Sequence, residues 1–206
     1  VEFLEKKIST YVGRKHGIAI NNATDALYYS LKCHGIGLTD EVLVSDFSWI
    51  SSASCIVMAG ATPVFCDIDL DSYHMSFEEI KKKTTNKTKA IVYTHLFGNM
   101  TETKEIELFC KENDILFIED AAQSLGSKYK DRYAGSIGDI SSFSFNANKV
   151  ISGISGGGMI FTDEDSIAEY LRKIRKHGKG KDYEMLGYNS KMFYMNAAYI
   201  GMRFDR

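Results

Sequence analysis

The feature that most constrains this chain is a repeated alternation along nearly its whole length. Short, largely apolar runs that lack a regular polar alternation are followed by stretches with helical spacing. The runs cover residues 17–21, 41–45, 62–66, 89–94, 115–119, 140–145 and 158–162, and most are rich in Ile, Val or Phe. A strand with one wet face alternates apolar and polar residues. A run that lacks this alternation reads as a strand buried on both faces. Helical patterns lie between the runs, at 24–33, 51–59, 76–83, 102–112 and 165–176. In the first of them Leu27 and Leu31 stand one turn apart, and Asn22 is placed to cap the helix. Strand–helix alternation predicts an α/β fold with a mostly parallel central sheet and helices on both faces. A chain of 206 residues is long enough to bury such a two-sided core.

Composition narrows the function classes. Hydrophobic residues make up 44% and charged residues 25%, the balance of a globular protein. The net charge of -2 lacks the basic excess of nucleic-acid-binding domains. The basic run Lys81, Lys82 and Lys83 follows Glu78 and Glu79 and reads as a solvated helix face. Four scattered cysteines form no CxxC pair, and the five histidines show no metal spacing, so no metal site is expected. Such cysteines suit reduced thiols in a cytoplasmic protein. No run approaches the roughly 18 apolar residues of a membrane span. Residues 1–7 carry no signal-peptide hydrophobic region and look like a helix entered midway.

In an open parallel sheet, ligands bind beyond the carboxyl ends of the strands. Five loops there carry polar or aromatic residues: 21–24, 46–49, the segment from His95, 120–123 and 146–158. The sequence Asn21-Asn22-Ala23-Thr24 opens a helix directly after a strand. Helix-start amides favour an anion, and the small Ala23 allows close approach; a plain capped helix is the simpler reading of the same residues. Asp120 ends a buried strand, where a carboxylate is costly unless paired. A protonated pyridine nitrogen would be one partner, a helix cap another. Lys149 sits between an apolar strand and the glycines Gly156, Gly157 and Gly158. A lone loop lysine is normally just solvated, but an amine held in a partly desolvated site has a depressed pKa and becomes a nucleophile. Trp49, the single tryptophan, could stack on a flat heterocycle or pack in the core. His95 reads as a structural histidine.

Taken together, NNATDAL, GATPVFCDID, EDAAQSLGSKYKDRYAGSIGDISSFSFNANK, SGGGMIFTDE and GYNSKM resemble the DegT/DnrJ/EryC1/StrS family. These are fold-type-I pyridoxal-5'-phosphate (PLP) aminotransferases acting on nucleotide-linked keto-sugars. The resemblance spans almost the whole chain and is closest to members that aminate a 4-keto-6-deoxy sugar for polysaccharides such as O-antigen. It implies that Lys149 carries PLP as a Schiff base and shuttles protons, and that Asp120 pairs with the pyridine nitrogen. It further implies that Gln123 sits near the ring hydroxyl, that Trp49 stacks on the ring, and that Ala23, Thr24 and Ser144 hold the phosphate. Asn189 would reach the phosphate of a neighbouring subunit in a homodimer with shared sites. Glutamate is the implied amino donor.

Two positions depart from the family. Lys191 stands where an arginine is usual, and HLFGNMTET lacks a proline that often follows its glycine. Family members also extend beyond Arg206 into a small C-terminal domain, so residues 1–206 are expected to be a PLP-binding large domain. A related branch of PLP-dependent sugar dehydratases replaces the lysine with histidine, so Lys149 favours transamination. A non-catalytic homologue is the reading from another class. The residues from Phe193 to Ile200 follow at helical spacing, suited either to packing within the fold or to a subunit interface.

Overall fold

The computed structural model describes all 206 residues. In chain order its main elements are α1 (Glu2–Val12), β1 (His16–Ile20), α2 (Ala23–Cys33), β2 (Glu41–Ser45), α3 (Ser51–Ala59), β3 (Thr62–Cys66), α4 (Phe77–Lys83) and β4 (Thr88–Thr94). There follow α5 (Lys104–Glu112), β5 (Leu116–Asp120), the two-residue strands β6 (Lys128–Tyr129) and β7 (Arg132–Tyr133), β8 (Ile140–Ser144), β9 (Gly158–Thr162), α6 (Asp165–Ile174) and α7 (Tyr194–Phe204). Seven strands form one sheet in the order β1-β9-β8-β5-β4-β2-β3. Only β9 runs against its neighbours; β3, β2, β4, β5 and β8 are parallel.

Because strand side chains alternate between faces, one strand feeds two cores. In β4, Ala90 and Val92 face one side while Ile91 and Tyr93 face the other. The first side is covered by α2, α3 and α6 through Leu27, Ile56 and Leu171. The second is covered by α1, α4, α5 and α7 through Ile8, Ile80, Ile106 and Ile200. This is the expected sheet with helices on both faces.

The strand pattern fails in one place. Strand β3 was expected to be buried on both faces, yet Thr62 and Phe65 are exposed. It is the edge strand and pairs with β2 alone. That position also suits Pro63, the only proline, which has no N–H to give a second neighbour. Helix ends moved as well. The fifth helix begins at Lys104, two residues after the expected start, and the sixth ends at Ile174 rather than 176. The opening residues belong to α1, and the hairpin of β6 and β7 went unread. Lys81 and Lys82 do lie on a solvated face, paired with Glu78 and Glu79.

Candidate active site

Strands β1, β2, β4, β5 and β8 end on the same edge of the sheet, and their following loops surround a cavity of about 520 Å³. Ala23, Thr24, Trp49, Asp120, Gln123, Ser144 and Lys149 all line it. The sheet topology thus gathers seven of the eight expected site residues.

Asp120 forms the floor. It is the last residue of β5 and is buried, because β4 and β8 flank that strand. The Ser52 hydroxyl donates to Oδ2 at 2.8 Å, and the Ala122 amide donates to Oδ1 at 3.1 Å. The Thr94 hydroxyl lies 3.4 Å from Oδ2. No lysine, arginine or histidine forms an ion pair with it. Burial pushes its carboxyl above the usual carboxylate range, opposed by the Ser52 and Ala122 hydrogen bonds and the Lys149 charge. A donor carrying positive charge would relieve that penalty.

An anion-attracting wall stands elsewhere in the cavity. Helix α2 starts at Ala23, and the Asn22 side chain accepts the Asp25 amide at 2.8 Å. That cap leaves the Ala23 and Thr24 amides, two of the four orphan donors of a helix start, without an acceptor in the protein. The Thr24 and Ser51 hydroxyls meet at 2.8 Å, joining the starts of α2 and α3. Ser144 and Gly158 are register partners on β8 and β9 beside this corner. A Cβ on Gly158 would press into the Asn22 carbonyl and lie 2.7 Å from the Ala23 nitrogen. Glycine there lets the helix start sit directly against the sheet end.

Lys149 is half-buried in the loop that joins β8 to β9. Gln123 is fixed by the Phe97 amide, which donates to its Oε1 at 3.0 Å. Phe97 itself has φ 58°, a region that non-glycine residues rarely occupy. Trp49 is 69% exposed at the cavity, so core packing does not account for it. His95 is fully buried, as a structural histidine would be. Asn189 is the residue the fold does not bring in. It is exposed and borders a separate cavity of about 630 Å³ with Phe3, Lys191, Phe193 and Tyr194.

Sequence reasoning missed Ser51, Ser52, Thr94 and Phe97. The serines stand just after Trp49 at a helix start, and Thr94 is a polar end to an apolar strand. Those signals were present but weak, since each acts on a residue distant in sequence.

The sequence matches the DegT/DnrJ/EryC1/StrS aminotransferase family over residues 1–206. It is 38% identical over 206 residues to a pleiotropic regulatory protein of Geobacillus stearothermophilus, covering 99% of this chain and 55% of that protein. It is 38% identical over 208 residues to the GDP-perosamine synthase of Caulobacter vibrioides, covering 98% and 55%. An aminotransferase structure from Psychrobacter cryohalolentis is similar with a TM-score of 0.97 at 32% identity, over 100% of this chain and 55% of that one. The PLP form of Spr1654 from Streptococcus pneumoniae gives a TM-score of 0.92 at 28% identity, over 100% and 58%. The chain spans about half the length of the curated relatives it matches.

Proposed function

Because the chain belongs to the DegT/DnrJ/EryC1/StrS aminotransferase family, we propose that the intact protein moves an amino group from glutamate to a nucleotide-linked 4-keto-6-deoxy sugar, using PLP in the cavity described above. One observation carries this reading. A buried carboxylate without a cationic partner, a loop lysine and a bare helix start line the same cavity.

These groups fit PLP in type and number. When bound, PLP supplies an electron sink for reaction at the amine-bearing carbon. Asp120 would keep the ring nitrogen protonated, in the charge-assisted bond that its burial calls for. The Lys149 amine would bind the cofactor covalently and carry protons to and from the reacting carbons. The Ala23 and Thr24 amides, with the Thr24 and Ser144 hydroxyls, would hold the phosphate. Trp49 would cover one ring face, and Gln123 would meet the ring hydroxyl.

A nucleotide-linked sugar acceptor is in keeping with the GDP-perosamine synthase relative; its 4-keto-6-deoxy form and glutamate as donor come from the family resemblance. We further propose a homodimer in which Asn189 completes the partner's phosphate site, and a cytoplasmic location in keeping with four free cysteines. No helix is long and apolar enough to cross a membrane. A regulatory reading has one observation behind it, the name of the Geobacillus relative. An assay separates the two. The intact protein is incubated with PLP, glutamate and a panel of nucleotide-linked keto-sugars, and amino-sugar products are read by mass. Amination of a 4-keto-6-deoxy sugar is expected. PLP-loaded protein that aminates none of the panel would overturn the catalytic reading.

A further inference from the structure

We infer that Asn196 is a positioning residue that holds the Lys149 loop from beneath. The inference rests on the proposal that Lys149 carries the cofactor. Asn196 lies in the first turn of α7 and is 3% exposed, so its side-chain amide is cut off from water. A buried amide needs partners for both ends, and this one finds them in a single loop. Its Oδ1 accepts the Ile154 amide at 2.7 Å, and its Nδ2 donates to the Gly156 carbonyl at 2.6 Å.

Apart from Asn196, the loop is bonded at its base and, in an exposed contact, at the Ser152 hydroxyl, which accepts from Arg203 Nη1 at 3.4 Å. The Phe145 amide donates to the Gly157 carbonyl at 2.9 Å, and the Gly153 amide to the Phe145 carbonyl at 2.7 Å. Within the arch so closed, Lys149 has one short backbone bond, to the Asn146 carbonyl at 3.0 Å. Asn196 therefore supplies the buried anchor to the loop's backbone from outside it, on the limb that returns from Lys149 to β9. The glycines fit this packing. A Cβ on Gly153 would run into the Asn196 Oδ1 and the Gly156 carbonyl, and one on Gly157 would lie 3.3 Å from the Asn196 Nδ2. Part of the glycine-rich segment is thus explained by room for one asparagine. Gly156, held by this clamp, and the adjoining Gly157 also line the cavity with Lys149.

A displaced lysine loop should slow chemistry more than binding, because positional error at a reacting group costs rate steeply. The test uses the intact, PLP-loaded protein and Asn196→Leu, which keeps the shape but removes both hydrogen bonds. Hydrogen exchange at the Ile154 amide should become about tenfold faster or more, the loss of roughly one buried hydrogen bond. The kcat should fall about tenfold or more while KM for glutamate stays within about twofold. Should that variant fail to fold, Gly153→Ala pushes on the clamp from the loop side and should give the same pattern. Wild-type exchange at Ile154, or faster exchange with unchanged kcat, would overturn the assignment. Exchange is also read without cofactor. A wild-type protein that takes up no PLP would therefore sink the functional reading, while the clamp is still judged by exchange.

Discussion

Ser52, in the first turn of α3, donates its hydroxyl to Oδ2 of Asp120 at 2.8 Å, across 68 positions of sequence. The bond joins a helix start to a strand end and fixes the carboxylate that faces the cavity. A neutral hydroxyl satisfies the oxygen without neutralising its charge, so the residue remains poised for a cation.

Asp120→Asn follows from that poise. Burial raises the Asp120 pKa in the folded state above its unfolded value. Such a group contributes stability that is fully present below the unfolded pKa and is lost as pH rises through the folded pKa. At neutral pH without cofactor, Asp120→Asn should therefore be at least as stable as wild type, since the Ser52 hydroxyl can turn to accept from the new amide. With PLP the order should reverse, because the charge-assisted bond proposed to the ring nitrogen, worth about 1.5–3 kcal/mol, would be gone. Transamination should drop by at least the corresponding factor of ten or more. Thermal melts with and without PLP, together with turnover, test this. A variant less stable than wild type without PLP, or one with wild-type turnover, would contradict it.

Lys149 is expected to be the trapped residue. Borohydride reduction of the PLP-loaded protein should fix the cofactor on the peptide containing Lys149. Lys128 and Lys130 are the informative alternatives, since they lie on or beside the β6–β7 hairpin. Their amines lie within cation–π range of the Tyr133 and Tyr129 rings, away from the cavity lining. Peptide mapping decides, and label on either of them would refute the assignment.

Gly158→Ala should act on phosphate affinity. The added methyl presses on the Asn22 carbonyl and the Ala23 nitrogen, so the start of α2 must move away from the sheet end. Overpacking of this kind typically costs about 1–3 kcal/mol. PLP affinity should fall about tenfold or more, because the amides proposed to meet the phosphate are those displaced. Titration of the apo-protein with PLP measures this, and an affinity within about twofold of wild type would show that the helix start does not hold the phosphate.

What could be read from sequence divides along a physical line. The apolar run ending in Glu119-Asp120 announced both a buried strand and a costly carboxylate, since periodicity and burial are local in sequence. The exposure of β3 was not legible, because a run of residues says nothing of its place in the strand order. Ser52 and Thr94 were hidden for a related reason: their partner lies on another strand. Trp49 taken alone favoured core packing over stacking, and only the fold shows it facing the cavity from the surface. Asn196 gave no signal, as its partners are backbone groups 42 and 40 positions away.

Asn189 leads to the last prediction, a dimer with shared sites. The residue is exposed and lies outside the cavity of its own chain. Close to it, Phe193, Tyr194 and Met195 are 61%, 77% and 64% exposed, whereas Ala197 and Ile200 further along α7 are buried. The segment thus divides its apolar residues, sending one group into the core and leaving the other on the surface. Apolar surface gathered in this way suits contact with another protein surface. A two-fold dimer uses the same patch on both subunits, so each Asn189 would be presented to the other's site. Cofactor affinity then depends on assembly, because a ligand that binds only the dimer stabilises it by mass action. Diluting the intact protein should lower mass and PLP occupancy together, with PLP shifting the mass transition to lower protein concentration. Asn189→Ala should weaken PLP binding while leaving the cavity residues of its own chain unaltered. A monomer that keeps full PLP occupancy, indifferent to Asn189→Ala, would rule out the shared site.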